Sequence, residues 1–101
     1  MVEDVLNLIG LMAKSGNIVS GEENLIKNIK NKNINLLIVS SDCGKNTRKK
    51  LINKAYYYDI DAISCFTINE LSKAIGKDNR VAIGVTNKKI IKKIINMIKN
   101  K

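Results

Sequence analysis

Apolar residues recur along the chain at two alternating periods, and this alternation predicts the order of helices and strands. In the first 14 residues they fall at helical spacing: Val2, Val5, Leu6, Ile9 and Met12. This spacing predicts an amphipathic helix over residues 3–14 that ends at Gly16. A short strand is predicted directly after it, over residues 17–19.

Two Ser/Thr-x-x-Glu patterns each predict the start of a helix. Ser20 with Glu23 predicts a capping box, in which each side chain bonds the backbone N–H of the other residue, in front of a second helix. Thr67 with Glu70 predicts the same arrangement in front of a fourth helix, which Gly76 is placed to end. The second helix is expected to bury Leu25, Ile26 and Ile29.

Three further runs of residues predict the remaining strands. Residues 34–39 are nearly all apolar and β-branched, which is typical of a central strand covered on both faces. Residues 61–66 alternate between polar and apolar positions, and residues 81–85 form a second buried run.

Two more helices are expected, one before the third strand and one at the end of the chain. The third helix follows a polar loop over residues 40–46 and runs to about Tyr58, burying Leu51, Ile52, Ala55 and Tyr56. Its first backbone N–H groups are expected to bond Asp42, Asn46 and Thr47. Thr86 is expected to cap the last helix, which buries Ile90, Ile91, Ile94, Ile95 and Ile98.

Five helices that alternate with four short strands predict an α/β fold, a three-layer αβα sandwich. The chain of 101 residues has no proline, no linker-like segment and no internal repeat, so residues 1–101 are expected to form a single domain. The pattern does not give the order of the strands.

The charge of the chain predicts a polyanionic partner. Eighteen Lys and Arg residues face nine Asp and Glu, which gives a net charge of +9. Nucleic acid is the first candidate, and an anionic membrane surface is the second. The acidic N-terminus lacks a signal-peptide pattern, and the longest apolar run is residues 36–39. We therefore expect a cytoplasmic protein that does not enter a membrane.

The composition argues against an enzyme and against a resident cofactor. Histidine is absent, which excludes Ser-His-Asp and Cys-His catalysis. Cys43 and Cys65 are too few for a four-thiolate zinc site and are expected to be reduced and buried. Asp42, Cys43 and Lys45 lie close together, but nothing marks a nucleophile with a lowered pKa. Gly44-Lys45 lacks the upstream glycine of a phosphate loop. No metal or other cofactor is expected.

The basic residues form four groups along the sequence. They are Lys27, Lys30 and Lys32; Lys45, Arg48, Lys49, Lys50 and Lys54; Lys73, Lys77 and Arg80; and Lys88, Lys89, Lys92, Lys93, Lys99 and Lys101. The last group lies opposite an isoleucine stripe, so a solvated helix face is the favoured interpretation there. Tyr56, Tyr57 and Tyr58 are expected to pack at a helix end, although an exposed tyrosine can also stack on an RNA base.

The start of the second helix is the most informative segment. Glu22 and Glu23 discourage a phosphate at this helix start, but a carboxylate accepts the N–H donors of a guanine edge, while Lys27 can meet a phosphate. Capping alone is the competing explanation for Glu23.

The same segment resembles a known RNA-binding motif. The residues Ser20-Gly21-Glu22-Glu23-Asn24-Leu25-Ile26-Lys27 resemble the Gly-x-Asn-Glu-x-x-Lys segment of the L7Ae/L30e ribosomal-protein family, which recognises kink-turn RNA. Three later segments follow in register: Ser41 to Thr47, Ile63 to Phe66 and Leu71 to Gly76. The resemblance covers about residues 3–98 and is strongest to the bacterial YlxQ-type branch of that family.

The resemblance implies a fold and a site. The fold is an αβα sandwich with a mixed four-stranded sheet, and the RNA site joins the start of the second helix to the loop before the last strand. The residues implied in RNA binding are Gly21, Glu22, Glu23, Asn24, Lys27, Lys30, Lys77, Asn79 and Arg80. Glu23 stands where the family usually has Asn, and Asn24 where it has Glu or Gln. The segment Lys77 to Arg80 replaces a more apolar stretch that packs on a flipped-out base.

The leading hypothesis is therefore a small, monomeric, non-enzymatic protein that binds RNA, associated with the ribosome or another structured RNA, and recognises a kink-turn or similar internal loop. The alternative is a protein-interaction adaptor on the ribosome or the transcription machinery, with basic faces that meet acidic partner surfaces. An enzyme is the third possibility, because related domains occur next to catalytic domains of RNA-modifying enzymes.

Overall fold

The computed structural model describes residues 2–99, within which five α-helices and four β-strands alternate along the chain. The helices are α1 Val2–Lys14, α2 Glu22–Lys30, α3 Lys45–Tyr57, α4 Ile68–Ala74 and α5 Ile91–Lys99. The strands are β1 Ile18–Ser20, β2 Leu36–Val39, β3 Asp61–Ser64 and β4 Ala82–Val85. A 3₁₀ turn, Lys88–Ile90, precedes α5. The predicted order of elements is confirmed.

The four strands form one mixed sheet in the order β1-β4-β2-β3. β4 runs antiparallel to both of its neighbours, and β2 runs parallel to β3. The two central strands, β2 and β4, are buried at every residue, whereas β1 and β3 at the edges are partly exposed. The expectation of a central strand from the apolar run before Ser40 is confirmed.

Helices cover both faces of the sheet. β2 shows the alternation, because Leu36 and Ile38 pack with α1, α4 and α5 while Leu37 and Val39 pack with α2 and α3. This arrangement is the predicted αβα sandwich. Within residues 2–99 the structure holds no helix with the length and apolar character needed to cross a membrane.

The helix starts only partly follow the sequence patterns. The predicted capping box of α4 is confirmed, with Thr67 as its N-cap. The predicted box at Ser20 and Glu23 is wrong, because Ser20 pairs with Ile83 as the last residue of β1 and stays extended. Gly21 is the N-cap of α2 instead.

The start of the final helical segment also differs from the expectation. Thr86 does not cap it, because its N–H donates to the carbonyl of Asn17 at 3.0 Å. Asn87 is the cap, and its side-chain oxygen accepts the N–H of Lys89 at 3.0 Å.

Two expectations for α3 are wrong as well. The α3 N-cap is Gly44, which has no side chain to offer, and Asp42 accepts the N–H of Ile68 in the first turn of α4 at 2.8 Å. Tyr56 was expected inside, but its side chain is 87% exposed. The inward face of α3 passes through Leu51 and Ala55, and one residue beyond Ala55 the helix has turned by about 100°, towards solvent.

Candidate functional site

The sheet topology brings three chain connections to one edge of the molecule. β1 and β2 are both antiparallel to β4, so their carboxyl ends lie beside the residues that enter β4. These ends lead into α2 and α3. Consequently the first turns of α2 and α3 meet the α4–β4 loop, residues 75–81, at a common edge that we call the α2 edge.

A cleft of about 240 Å³ opens at the α2 edge. It is lined by Gly21, Glu22, Leu25, Thr47, Asn79, Arg80, Val81 and Ala82. Four of these were predicted as site residues, and the cleft joins the two segments in which they lie. Thr47 was assigned only to helix capping, because the sequence does not show that α3 starts beside α2.

Gly21 sets the backbone path at the mouth of the cleft. Its φ of 90° and ψ of 132° lie in a region that L-amino acids with a Cβ atom rarely adopt. A Cβ atom at this position meets nothing within 4 Å, so the dihedral angles, and not crowding, favour glycine here. Because the N-cap residue is glycine, no cap side chain covers the first N–H groups of α2.

Arg80 is held beside the start of α2 by its own loop and by β1. Its Nε donates to Ser20 Oγ at 3.2 Å, and its Nη1 donates to the carbonyl of Asp78 at 3.4 Å. Its backbone N–H donates to Ser72 Oγ at 2.7 Å, and Ser72 is buried in α4. Asn79 adopts a left-handed φ of 50°, which asparagine tolerates better than most residues. The guanidinium group is thus positioned with several of its five donors left over.

The acidic residues of the first turn differ in their surroundings. Glu22 forms an ion pair with Lys50 of α3, with 3.2 Å between Oε2 and Nζ. Glu23 lies on the exposed face of α2, which it shares with Lys27 and Lys30 at positions i+4 and i+7. The side-chain nitrogen of Asn24 donates to the carbonyl of Ser20 at 3.4 Å. Glu23 and Lys27 therefore place a hydrogen-bond acceptor and a cationic group on one exposed face, whereas the Glu22 carboxylate is engaged by Lys50.

Two predicted site residues lie farther from the cleft. Lys30 is the last residue of α2, about 12 Å along the helix axis from Glu22. Lys77 is exposed in the α4–β4 loop and does not line the cleft. Ser20 and Ser72 were missed as supporting residues. The signal that could have identified Ser72 is a serine within the apolar pattern of α4. No such signal exists for Ser20, because its partner depends on the strand order.

The four basic groups divide between the two helical layers. α2 and α3 pack on the same face of the sheet, so their lysines share one surface with the α2 edge. Arg48 is the exception, because its Nη1 donates to Ser64 Oγ at 2.7 Å and its Nη2 to the carbonyl of Ser40 at 2.6 Å. α5 and Lys73 lie in the opposite layer, and Lys101 lies outside the described residues.

The Asp42-Cys43-Lys45 loop has no feature of a nucleophilic site. Cys43 is buried, and this burial raises the pKa of its thiol, although the nearby Arg48 opposes the shift. A raised pKa keeps the thiol protonated at neutral pH, which is the reverse of activation. Asp42 is bonded to the backbone of α4. The loop therefore holds the two helix starts together.

Comparisons with known proteins give the family context of this site. A family model described as the ribosomal protein L7Ae/L30e/S12e/Gadd45 family matches residues 3–95. The chain is 32% identical over 96 residues to a protein named RNA-binding protein YlxQ from Enterococcus faecium, covering 95% of this chain and 92% of that one. A protein of the same name from Bacillus subtilis is 33% identical over 91 residues, covering 90% and 91%.

Two solved structures share the fold. A protein of unknown function from Bacillus halodurans superposes with a TM-score of 0.88 at 37% identity, covering 94% of this chain and 96% of that one. A 15.5 kD RNA-binding protein from Giardia lamblia superposes with a TM-score of 0.76 at 16% identity, covering 92% and 79%. At that identity the second likeness concerns the fold alone.

Proposed function

The chain belongs to the ribosomal protein L7Ae/L30e/S12e/Gadd45 family, and we propose that it is a non-enzymatic RNA-binding protein that recognises a kink-turn or similar internal loop. The observation that carries the proposal is the cleft at the α2 edge, where Gly21 and Glu22 meet Asn79 and Arg80. The names of the relatives from Enterococcus faecium and Bacillus subtilis support RNA as the partner.

Each part of the α2 edge has a role in this proposal. Gly21 lets the protein backbone at the start of α2 come close to the RNA, and Lys27 contacts a phosphate. Glu23 accepts N–H donors from a base edge, and Asn24 bonds a neighbouring base. Arg80 and Lys77 hold the strand that passes the α4–β4 loop, and Lys30 adds a peripheral phosphate contact.

We further propose that the protein acts as a single domain and a monomer in the cytoplasm, on ribosomal or another structured RNA. The net charge of +9 on 101 residues supports a partner whose surface is lined with phosphates. A structured RNA supplies such a surface, and in this proposal the cleft and Glu23 receive the unpaired bases of its internal loop.

The proposal is tested by comparing a kink-turn RNA with a plain duplex of equal length by fluorescence anisotropy at several salt concentrations. We expect tighter binding to the kink-turn. Lys27→Ala should weaken binding to both RNAs and reduce the slope of log affinity against log salt by about 0.7–0.9. Asn24→Ala should mainly reduce the preference for the kink-turn. Lys92→Ala, an exposed lysine in the opposite layer, is the matched control and should change neither.

Equal affinity for the two RNAs at physiological salt would contradict specific recognition. A pull-down from RNase-treated lysate distinguishes the adaptor hypothesis, because an adaptor keeps its protein partner after the RNA has been digested, whereas an RNA-binding protein loses its ligand.

A further inference from the structure

Two tyrosines at the end of α3 are unusually exposed. The side chains of Tyr56 and Tyr57 are 87% and 79% exposed. The ring of Tyr57 also packs edge-on against half-buried Tyr58, with 4.9 Å between ring centroids and 78° between ring planes. An aromatic ring that is oriented by a neighbour and still open to solvent is arranged for stacking on another flat group.

The tyrosines border a groove of about 620 Å³ between the end of α3 and the edge strand β3. Its other lining residues include the aliphatic Ile52 and Ile60 and the carboxylates Asp59 and Asp61. Flat rings, an apolar wall and hydrogen-bond acceptors together match the chemistry of an unpaired nucleobase. A carboxylate accepts from the amino groups of cytosine, adenine and guanine, which uracil lacks.

The outer face of α3 connects this groove to the α2 edge. Asn46, Lys50, Asn53 and Tyr57 are exposed and occur at positions i, i+4, i+7 and i+11, so they lie along one face of the helix. Residues 45–58 contain five basic residues and no acidic residue. From Thr47 in the cleft to Tyr57 the helix rises about 15 Å. A short single strand can cover this distance along a stretch of α3 that contains no acidic residue.

We propose that the groove beside Tyr56 and Tyr57 binds an unpaired base, preferentially one with an amino group, from the strand that leaves the α2 edge. This inference rests on the proposed function, because it extends the same RNA along α3. RNA fits better than a cationic peptide, because the approach along α3 is lined by positive charge and the whole chain carries +9.

The experiment measures the affinity of fluorescein-labelled 12-nucleotide oligocytidine and oligouridine by anisotropy, beside a kink-turn RNA without a single-stranded tail. Tyr57→Ala should weaken oligocytidine binding about 5- to 150-fold, and Tyr56→Ala should act in the same direction. Tyr57→Phe retains the ring and should stay within about twofold of the parent chain. Asp61→Asn should reduce the preference for cytidine over uridine. Both tyrosines are exposed, so these substitutions leave the core intact.

The tail-less kink-turn RNA separates this inference from the proposed function. If the inference is correct, its affinity is unchanged by Tyr57→Ala and falls with Lys27→Ala. If the chain shows no preference for the kink-turn RNA but Tyr57→Ala still weakens oligocytidine binding, the proposed function is overturned and the base site is supported. Failure of oligocytidine to bind, or an oligocytidine affinity unaffected by both alanine variants, overturns the base site. The base site is also overturned if an arginine-rich nonapeptide binds the groove through Asp59 and Asp61 and neither oligonucleotide binds there.

Discussion

The starts of α2 and α4 carry the same Ser/Thr-x-x-Glu pattern, but only α4 begins with a capping box. At α4, Thr67 Oγ1 accepts the N–H of Glu70 at 3.1 Å, and the Glu70 carboxylate accepts the N–H of Thr67 at 2.8 Å. At α2, the serine lies in β1 and Gly21 is the cap. The capping box of α4 therefore satisfies backbone N–H groups at the start of that helix, whereas no cap side chain covers those of α2.

The difference shows how strand pairing can keep a polar residue from capping the next helix, so that the start of that helix stays available for binding. The pairing of Ser20 with Ile83 keeps the serine extended and one residue too far from α2 to cap it. Its hydroxyl bonds Arg80 instead, and this bond links the α4–β4 loop to the helix start. Glu23, which has no capping role here, remains exposed on the outer face. Of the two helix starts compared, α2, which has no side-chain cap, is thus the one that lies in the candidate RNA site.

The largest expected effect concerns the backbone of the open helix start. Gly21→Ala forces an L-residue into φ 90° and should lower the free energy of unfolding by about 1–3 kcal/mol. Gly44→Ala, at the start of α3, is the matched control because its φ of −57° and ψ of 143° suit any residue. Both positions have open space for a Cβ atom. Urea denaturation followed by circular dichroism measures the two midpoints.

Equal losses in the two variants would mean that the conformation of Gly21 is not the source of its effect. A loss confined to Gly21→Ala, together with weaker kink-turn binding by the fraction that stays folded, would show that the open start needs this backbone path both for stability and for RNA approach.

The next effect compares the two hydroxyl groups. Thr67→Ala removes a cap and should cost about 1 kcal/mol of unfolding free energy, within a general range of about 0.5–2 kcal/mol. Ser20→Ala removes only a bond to Arg80 Nε and should cost about 0.5 kcal/mol or less. Thermal and urea denaturation of both variants give the comparison. If Ser20→Ala is as destabilising as Thr67→Ala, the serine contributes to α2 in a way that its place in β1 does not explain.

The periodic elements of the fold follow from the sequence, because apolar spacing directly reflects which side of an element is buried. The run before Ser40 predicted a central strand, and β2 is buried on both faces. The same spacing did not predict that the side chain of Tyr56 is exposed. Tyr56 follows Ala55 on a helix whose inward face is narrow, and an aromatic residue at the end of an apolar stripe need not be covered by anything.

The residues by themselves predicted only the separate segments of the site, and the resemblance implied that the two segments meet. Gly21 and Glu22 come from one turn and Asn79 and Arg80 from a loop nearly 60 positions later, and only the antiparallel pairing of β1 with β4 brings them together. Hydrophobic periodicity carries no information on strand order. The contribution of Thr47 was missed for the same reason, since it depends on α3 starting at this edge.

The smallest expected effect tests whether the Glu22 carboxylate is available to the RNA or is committed to the fold. Its ion pair with Lys50 joins two side chains that are 42% and 53% exposed, so a double-mutant cycle with Glu22→Gln and Lys50→Met should give a coupling of about 0.2–1 kcal/mol that shrinks in high salt. A weak coupling leaves the carboxylate free to exchange Lys50 for a base edge, and Glu22→Gln should then change kink-turn preference more than stability. A coupling well above this range would place Glu22 with Glu70, as a carboxylate committed to the fold, and Glu23 alone would remain to accept the N–H donors of the RNA.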